Sequence, residues 1–333
     1  MGDTPFMAAS TWPQTLQAAI VYFADPDTAF AEMVKFRWPD GVAKCPTCGS
    51  KNVWFTKSRR VWQCKENHLR RQFSVKIGSI MEDSPLGIDK WLVALWLITN
   101  AKNGISSYEL HRAIGVTQKT AWFMLHRIRL AMQDKSTGGK LSGEVEVDET
   151  FIGGKARNMH KSKLRRLSLT MSNPMVGKVA MMGVLERNAE KGQSRVRLQH
   201  VESNRRRHVR PVIDQHVEKG STINSDSLPS YKDLSAEGSA FVPNVIDHAN
   251  CYAEGNVHTN GMENFWSLLK RTIKGTYVSV EPFHLFRYLD EQAHRFNTRT
   301  LTDSARFAIT AAAVFGKRLT FNALTGKDLP QTC

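Results

Sequence analysis

The sequence lacks a long apolar stretch, and its first residues do not have the pattern of a secretory signal. No 18-residue run is apolar throughout, although a helix that crosses a bilayer needs about 20 such residues. The first ten residues, MGDTPFMAAS, lack the basic start of a secretory signal. Cysteine is scarce, with five among 333 residues, which argues against the disulfide framework of a small secreted protein. We therefore expect a soluble cytoplasmic protein that has no membrane partner.

Acidic residues are in deficit. The 31 Asp and Glu are outnumbered by 46 Lys and Arg, so the formal net charge is +15 and the pI is about 9.7. An excess of this size points to a polyanionic partner, mainly nucleic acid and less often an anionic membrane surface. The chain is 41% hydrophobic, which is enough to bury a sizeable core, and its length predicts about two domains.

Three of the cysteines lie within twenty residues, which is typical of a local metal site. In the stretch CPTCG at 45–49, two thiols are two residues apart on a tight turn and can grip one tetrahedral ion. A short hairpin, Val53–Phe55 and Val61–Gln63, would bring back a second pair of ligands. The spacing of that pair, Cys64-x3-His68, is less usual than CxxC, so the fourth ligand stays open. We predict one structural Zn²⁺ held by Cys45, Cys48, Cys64 and His68.

A helical region with a DNA-binding pattern follows the cysteines. After an apolar helix at 86–99, Ser106 or Ser107 caps a helix, and Thr117 caps another over 118–132 beyond a turn at Gly115. Two helices joined by a short turn with glycine predict a helix-turn-helix, whose second helix enters the major groove with its N-terminus first. The candidate DNA contacts are Gln118, Lys119 and Trp122 at base edges, and Arg127 and Arg129 nearer the phosphates.

Strand patterns begin after a polar, glycine-rich stretch at 133–142, which is the best candidate for a domain boundary. The basic segment 155–166 carries six Lys and Arg and no acid, and it predicts a long, mobile hairpin tip that contacts phosphates through residues such as Arg165 and Arg166. Helices are predicted at 204–218 and 258–271. The predicted strands are 144–152, 178–186, 195–201, 222–225 and 241–246.

Three acids lie on different elements of this half. Asp148 is near the centre of the first strand, Asp226 is at the end of the fourth, and Glu263 is on the late helix. Two-metal phosphoryl transfer needs carboxylates that converge from different elements, and without cations these would repel one another. Each acid alone would be an ordinary cap, ion-pair partner or edge charge. Together they predict a site for two Mg²⁺ (or Mn²⁺) ions, flanked on the helix by Asn260, Ser267 and Lys270.

The combination of motifs resembles one protein family. The chain is similar to bacterial insertion-sequence transposases of the DDE class, in the zinc-ribbon group related to eukaryotic Merlin elements, an ISX-type transposase family. The resemblance covers roughly residues 20–300. It rests on RWPDG at 37–41, CPTCG at 45–49, QFSV at 72–75, GSI at 78–80, VDETFIGG at 147–154, Asp226 with Tyr231, HTNGMENFWSLLKR at 258–271, GTY at 275–277 and RFNTR at 295–299.

The resemblance implies an α/β fold in which an RNase H-like (DDE integrase) catalytic domain follows a zinc ribbon and an all-α helix-turn-helix region. The expected domains are a helical lead-in at 1–40, the zinc ribbon at 41–82, the helix-turn-helix region at 83–135, the catalytic domain at 143–300 and a C-terminal tail at 301–333.

The same resemblance implies roles for the acids and for a basic pair. The catalytic metal ligands would be Asp148, Asp226 and Glu263. Some relatives have Asn in place of the third acid, so Asn260 competes with Glu263 for that role. Lys270, two helical turns along the helix, would contact DNA together with Arg271.

The implied activity is DNA transposition. The protein would bind the terminal inverted repeats of its element, cleave the ends by metal-dependent phosphodiester hydrolysis, and join the freed 3′-hydroxyl to double-stranded target DNA. Because two ends must be cut and joined in concert, a homodimer or larger synaptic assembly is expected, close to the nucleoid of a bacterium. Two alternatives stay open: a zinc-ribbon, helix-turn-helix regulator without catalysis, and an RNase H-like nuclease or resolvase that cuts without joining.

Overall fold

A computed structural model describes residues 12–133, 139–153, 159–168, 177–187, 193–226, 240–246 and 258–327. The chain forms two compact units, one built from Met1–Gln133 and Leu301–Cys333 and the other from Asp134–Thr300. Within the described ranges, no helix is both long and apolar enough to span a bilayer. Parts of three predictions lie outside the described residues: 134–138 of the predicted linker, 155–158 of the basic segment, and Tyr231.

The first unit begins with two helices, α1 (Leu16–Ala24) and α2 (Pro26–Arg37). Thr15 caps α1, because its side chain accepts a hydrogen bond from the amide of Ala18. Asp25 caps α2 in the same way, and Pro26 occupies the first helical position, where its missing N–H costs nothing.

A small antiparallel sheet follows, with strands β1 (Val53–Thr56), β2 (Val61–Cys64) and β3 (Gln72–Ser74) in the order β1-β2-β3. The predicted hairpin is therefore present, and a third strand extends it. Trp62 stacks on Phe73 with ring centroids 5.9 Å apart, and Trp38 meets Trp62 edge-on at 4.9 Å. These aromatic contacts stabilise the sheet against the helices, since aromatic pairs in such arrangements add to the free energy of area burial.

Three helices complete this part of the chain: α3 (Ile88–Asn100), α4 (Ser107–Ile114) and α5 (Gln118–Met132). Ser106 and Glu109 form a capping box at the start of α4. Gly115 ends α4 at a φ of +63°, a conformation that glycine adopts at little cost, and Thr117 caps α5. The predicted helices, cap residues and turn are confirmed here. Nine of the fifteen residues of α5 are buried, so this helix is largely a core element.

The second unit contains a five-stranded sheet. Its strands are β4 (Glu144–Gly153), β5 (Lys178–Glu186), β6 (Arg195–Val201), β7 (Thr222–Asp226) and β8 (Val242–Ile246). In the order β6-β5-β4-β7-β8, the first three strands are antiparallel, and β7 and β8 run parallel to β4. The five strands predicted from hydrophobic patterns are confirmed to within one or two residues, and the protein has a mixed α/β fold.

The basic stretch before β5 differs from its prediction. A hairpin tip was expected over 155–166, but residues Lys161–Ser168 form a helix, α6. Lys, Arg and Leu are good helix formers, so the local composition allows this outcome. Arg165 is exposed on α6, and Arg166 is the next residue of the same helix.

Helices cover both faces of the large sheet. Helix α7 (Arg206–His216) packs on one face, where Val209, Val212 and Ile213 meet inward residues of β4 such as Val145. Helices α8 (Asn260–Thr272) and α9 (Leu285–Asn297) pack on the other face. Because side chains alternate along a strand, Val145 and Val147 of β4 point towards α7, whereas Glu146 and Asp148 belong to the face that carries α8.

The end of the chain belongs to the first unit. Helices α10 (Asp303–Ala312) and α11 (Phe321–Thr325) follow α9. Phe307 of α10 is fully buried, 5.4 Å from the ring of Phe23 and 5.2 Å from that of Trp96. The segment predicted as a C-terminal tail is thus part of the core that α1, α2 and α3 share, and the modules predicted at 1–40, 41–82 and 83–135 are built around that single core.

Candidate active site and zinc site

The four predicted zinc ligands lie together in the first unit. The ligand atoms of Cys45, Cys48, Cys64 and His68 are all within 4.8 Å of one another. Cys45 Sγ lies 3.5 Å from His68 Nε2, and Cys48 Sγ lies 3.6 Å from Cys64 Sγ. Separations of this size suit a tetrahedral zinc ion with Zn–S bonds of about 2.3 Å and a Zn–N bond of about 2.0 Å.

Local hydrogen bonds prepare two of these ligands. The ring nitrogen Nδ1 of His68 lies 2.7 Å from the carbonyl oxygen of Leu69, which can only accept, so Nδ1 carries the proton and Nε2 is left for the metal. Burial opposes ionisation of the Cys45 thiol, but amide donors from Cys48 and Thr47 outweigh it and lower its pKa to about 7. A thiolate is the form that binds zinc, and four protein ligands close the coordination shell, as in a structural site.

The three predicted acids come from three elements of the second unit. Asp148 lies in the middle of β4, Asp226 ends β7, and Glu263 is in the first turn of α8. Glu146 of β4 pairs with Asn224 of the parallel strand β7. Asp148 and Asp226 each follow two residues later, so they lie at the same level on neighbouring strands. The register of one strand pair therefore brings together two acids that are 78 residues apart in the sequence.

The charges of the three acids influence one another. Burial raises the pKa of Asp148 to about 6, and the negative charges of Asp226 and Glu263 contribute to the shift. Hydrogen bonds from the amide of Glu149 and the indole of Trp266 act in the opposite direction, because they stabilise the charged form. A bound cation would relieve the repulsion between carboxylates that contributes to this raised pKa.

A cavity of about 500 Å³ opens beside Asp148 and Glu263, and Asp226 is not among its lining residues. Asn260 is exposed at the start of α8 and does not line this cavity, whereas Glu263 does. The lining residues are Asp148, Glu149, Thr150, Glu263, Trp266, Ser267, Lys270, Arg271 and Lys274. Acids and three cations thus line the same cavity, a combination that suits a phosphodiester. Lys274 was missed in the sequence, although it follows Lys270 by one helical turn.

Hydrogen bonds orient the carboxylate of Asp148. Its Oδ1 accepts from the amide of Glu149 at 2.8 Å, and its Oδ2 accepts from Nε1 of Trp266 at 3.0 Å. The sequence placed Trp266 on the apolar stripe of α8, and the residue is indeed buried, but its polar N–H was not anticipated. Each carboxylate oxygen keeps a further lone pair for another partner.

A glycine allows α8 to lie close to the sheet at this point. Gly183 of β5 is paired with Asp148 of β4. A Cβ atom at Gly183 would lie 2.1 Å from Cε of Met262 and 2.7 Å from Cζ2 of Trp266, distances that no real contact allows. The absence of a side chain at 183 therefore makes room for the indole that reaches Asp148.

The predicted DNA contacts on α5 divide into two groups. Lys119 is exposed in the first turn, with its Nζ 5.0 Å from the ring centre of Phe321. Gln118 is partly buried and donates to Oγ of Ser107 at 2.8 Å, and the partly buried Trp122 lies edge-on to His126 at 4.6 Å. The N-terminal end of α5 is thus the part that a partner can reach.

Arg127 and Arg129 correct the prediction. Arg127 is buried, and it donates to the carbonyl oxygens of Ile80 at 3.0 Å, Glu82 at 2.8 Å and Leu319 at 3.1 Å. Arg129 is 1% exposed. Neither guanidinium can reach a phosphate in this arrangement. All six residues from 124 to 129 of α5 are buried, so this part of the helix is covered on every side, which the basic character of the segment alone did not reveal.

Comparisons with known proteins match the two parts of the chain in which these residues lie. A family model described as the ISXO2-like transposase domain matches residues 140–297, which include the three acids. A model described as the transposase zinc-ribbon domain matches residues 25–67, which include the three clustered cysteines. An uncharacterized protein in transposable element ISH50 of Halobacterium salinarum is 27% identical over 246 residues, covering 72% of this chain and 80% of that protein. Because the two models span more than half of the sequence between them, in the order ribbon then transposase domain, the chain belongs to the ISXO2-like family of DDE transposases.

Proposed function

We propose that this transposase binds the terminal inverted repeats of its element, cleaves the DNA at the element's ends and joins the freed 3′-hydroxyl to target DNA. The observation that carries the proposal is the cavity of the second unit, which Asp148 and Glu263 line together with Lys270, Arg271 and Lys274. Substrates with a phosphodiester backbone need cations to hold the strand and carboxylates to hold metal ions at the reacting phosphate.

The topology supports an RNase H-like catalytic domain. Three antiparallel strands are extended on one side by two strands parallel to the first, in the order β6-β5-β4-β7-β8. Asp148 and Asp226 lie on the adjacent strands β4 and β7. Functional groups on neighbouring strands of such a sheet are held more rigidly than groups on loops, which suits a site that must position two metal ions.

The residues of the site fit a pair of Mg²⁺ or Mn²⁺ ions, because carboxylate oxygens are the ligands that these ions prefer. When bound, the ions would lower the pKa of the attacking water or 3′-hydroxyl and stabilise the leaving oxygen. Asp148, Asp226 and Glu263 would hold the ions. Asn260 is the weaker candidate for the third ligand, because it does not line the cavity, whereas Glu263 does.

The three cationic residues that line the cavity would position the DNA. Lys270 and Lys274 are one helical turn apart, and Arg271 lies beside them. Ammonium and guanidinium groups at this spacing can contact successive phosphates of one strand. In the first unit, the exposed N-terminal turn of α5, with Lys119 and Gln118, is the part that we propose enters the major groove of the inverted repeat.

The structural zinc site would keep the ribbon folded, and catalysis would not involve it, since all four positions are filled by protein ligands. A homodimer or larger assembly on DNA follows from the reaction, because two element ends must be brought together before they are joined to one target.

A cleavage assay with the full chain tests the proposal. The protein is incubated with Mg²⁺ or Mn²⁺, a labelled duplex that carries the element's end, and a target plasmid. We expect wild-type protein to give cleaved and joined products, and Asp226→Asn to bind the duplex without either product. Identical product patterns for the two proteins would refute the catalytic assignment. Cleavage without joining would indicate a nuclease, and binding alone by wild-type protein would indicate a regulator.

A further inference from the structure

Glu146 is a buried carboxylate that the sequence did not single out. It precedes Asp148 by two residues on β4 and belongs to the same face of the sheet, which α8 covers. Only 1% of the residue is exposed. Glu146 is not among the residues that line the cavity beside Asp148 and Glu263, so its carboxylate has partners elsewhere. Burial of a carboxylate is costly unless partners compensate for it.

The main-chain partner of Glu146 is the start of α8. Its Oε2 accepts a hydrogen bond from the amide of Met262 at 2.8 Å. The residue at the cap position of this helix, Thr259, makes no side-chain cap hydrogen bond, although the first amides of a helix need acceptors from outside it. Glu146 therefore caps α8 from the sheet, and a negative charge at this end also suits the helix dipole.

Arg187 balances the buried charge and extends the link. Its Nε lies 2.6 Å from Oε1 of Glu146, and its Nη1 lies 3.1 Å from Oε2 of Glu144. Its Nη2 donates to Nδ1 of His258 at 2.6 Å and also to the carbonyl oxygen of His258. The chain just before α8 and the end of β5 are thereby joined to the same carboxylate.

The close approach of α8 to the carboxylate of Glu146 depends on a glycine. A Cβ atom at Gly261 would lie 2.8 Å from Oε2 of Glu146, closer than real Cβ atoms come to other atoms, and 3.1 Å from its Oε1, a tighter contact than most. Any side chain at 261 would therefore push the first turn of α8 away from β4, or push Glu146 out of its position.

Two hydrogen bonds join β4 to α8 at matched intervals. Glu146 holds the amide of Met262, and Asp148 accepts from the indole of Trp266. The strand positions are two residues apart, or about 6.8 Å, and the helix positions are four apart, or about 6 Å. Glu263 lies between them on the helix. Sliding or tilting of α8 would break one of the two bonds.

We infer that Glu146 is a positioning residue, which fixes the first turn of α8 so that the carboxylate of Glu263 meets that of Asp148 at one divalent-cation site. The inference rests on the proposed function, because it takes Asp148 and Glu263 as ligands of the same site. Glu146 itself acts through α8 and does not touch the cation.

Binding of Mn²⁺ to the zinc-loaded full chain, followed by electron paramagnetic resonance, tests the inference. We expect Glu146→Gln to weaken Mn²⁺ binding about tenfold, the effect typical of outer-shell partners of metal sites. Glu144→Gln is the matched control, because it removes the other, more exposed carboxylate that pairs with Arg187 but leaves the cap of α8 in place. It should bind Mn²⁺ like wild-type protein. Unchanged Mn²⁺ affinity in folded Glu146→Gln, with only a lower stability, would overturn the inference.

Two further variants decide the question if Glu146→Gln does not fold. Glu146→Asp keeps the charge beside Arg187 but withdraws it from Met262, and Gly261→Ala keeps every charge but displaces the turn. Both should weaken Mn²⁺ binding, and if both bind like wild-type protein, the inference is wrong.

Asp148→Asn in the same titration separates the positioning role of Glu146 from the proposed metal site. If Asp148→Asn leaves Mn²⁺ binding intact, the proposed metal site itself fails; if it abolishes binding while the Glu146 and Gly261 variants do not, only the positioning role fails.

Discussion

Trp266 donates its indole N–H to Oδ2 of Asp148 across 3.0 Å, from the helix that carries Glu263 to the strand at the centre of the sheet. The contact joins residues 118 positions apart. A tryptophan that looks like an ordinary core residue in the sequence therefore orients one carboxylate of the acid cluster.

Trp266→Phe should raise the pKa of Asp148 further above about 6, by about one unit, because a hydrogen bond to a charged group contributes about 1.5–3 kcal/mol. The measurement is the pH midpoint of Mn²⁺ binding, which should move to higher pH. Trp91→Phe is the control: Trp91 is also buried and donates its indole N–H, to Ser84 at 3.1 Å in the first unit. An unmoved midpoint in Trp266→Phe would contradict the prediction.

Gly183→Ala should destabilise the second unit by about 1–3 kcal/mol, the usual cost of overpacking, because the new methyl group would overlap Met262 and Trp266. Chemical denaturation gives the free energy of unfolding. Gly275→Ala is matched in chemistry but meets no atom within 4 Å, so its stability should stay near that of the wild type. Equal stability of the two variants would show that α8 can move away from the sheet at little cost.

Without divalent cations, Asp148→Asn should stabilise the protein at pH 7.5. In the unfolded chain the carboxyl group loses its proton near pH 3.8, and in the folded protein near pH 6. Between these values the folded state binds more protons, so stability falls as pH rises through the window and stays low above it. The substitution removes this loss, which is about 1–3 kcal/mol in a partly solvated site.

Thermal unfolding at pH 4 and pH 7.5 checks the previous prediction. The stabilising effect of Asp148→Asn should be present at the higher pH and nearly absent at the lower one. Asp214→Asn is the control, since Asp214 is exposed on α7, which covers the opposite face of the sheet. A stabilisation that does not depend on pH would mean that packing, and not charge, explains the effect.

Removal of zinc with a strong chelator should unfold the ribbon. His68→Ala should weaken zinc binding by more than the about 10–100-fold that loss of an outer-shell partner costs, because a direct ligand is lost. Zinc content and near-ultraviolet circular dichroism report the two effects. His200→Ala serves as the control, since His200 is exposed on β6 of the second unit. Unchanged zinc affinity in His68→Ala would assign the fourth position to another residue.

Substitution of Lys119 should affect DNA binding, whereas substitution of Arg127 should affect stability. Lys119→Ala should weaken binding to the inverted repeat and make the slope of the logarithm of affinity against the logarithm of salt concentration shallower by about one. The free energy of unfolding should change little. Arg127→Ala should lower that free energy by about 3 kcal/mol, because three carbonyl groups lose their shared donor. The opposite pattern in fluorescence anisotropy and denaturation would restore Arg127 as a DNA contact.

Much of the local structure could be predicted because its signals act over a few residues. Ser106 and Thr117 cap helices by accepting hydrogen bonds from amides three residues ahead, and Gly115 supplies the backbone conformation that ends α4. Apolar strand patterns located β4, β5 and β6, with alternation in β4. The spacing of Cys45 and Cys48 indicated a metal turn, and the order of the acids along the elements indicated a shared site.

Only the tertiary structure decided which groups meet across long stretches of sequence. The cap that Glu146 provides, the space left by Gly183 and the hydrogen bond of Trp266 depend on the strand register and on the distance between α8 and the sheet. The burial of Arg127 and the return of α10 to the first core likewise depend on which helix faces pack together. Charge and apolar character are properties of single residues, whereas these contacts arise from the packing of elements that are distant in the chain.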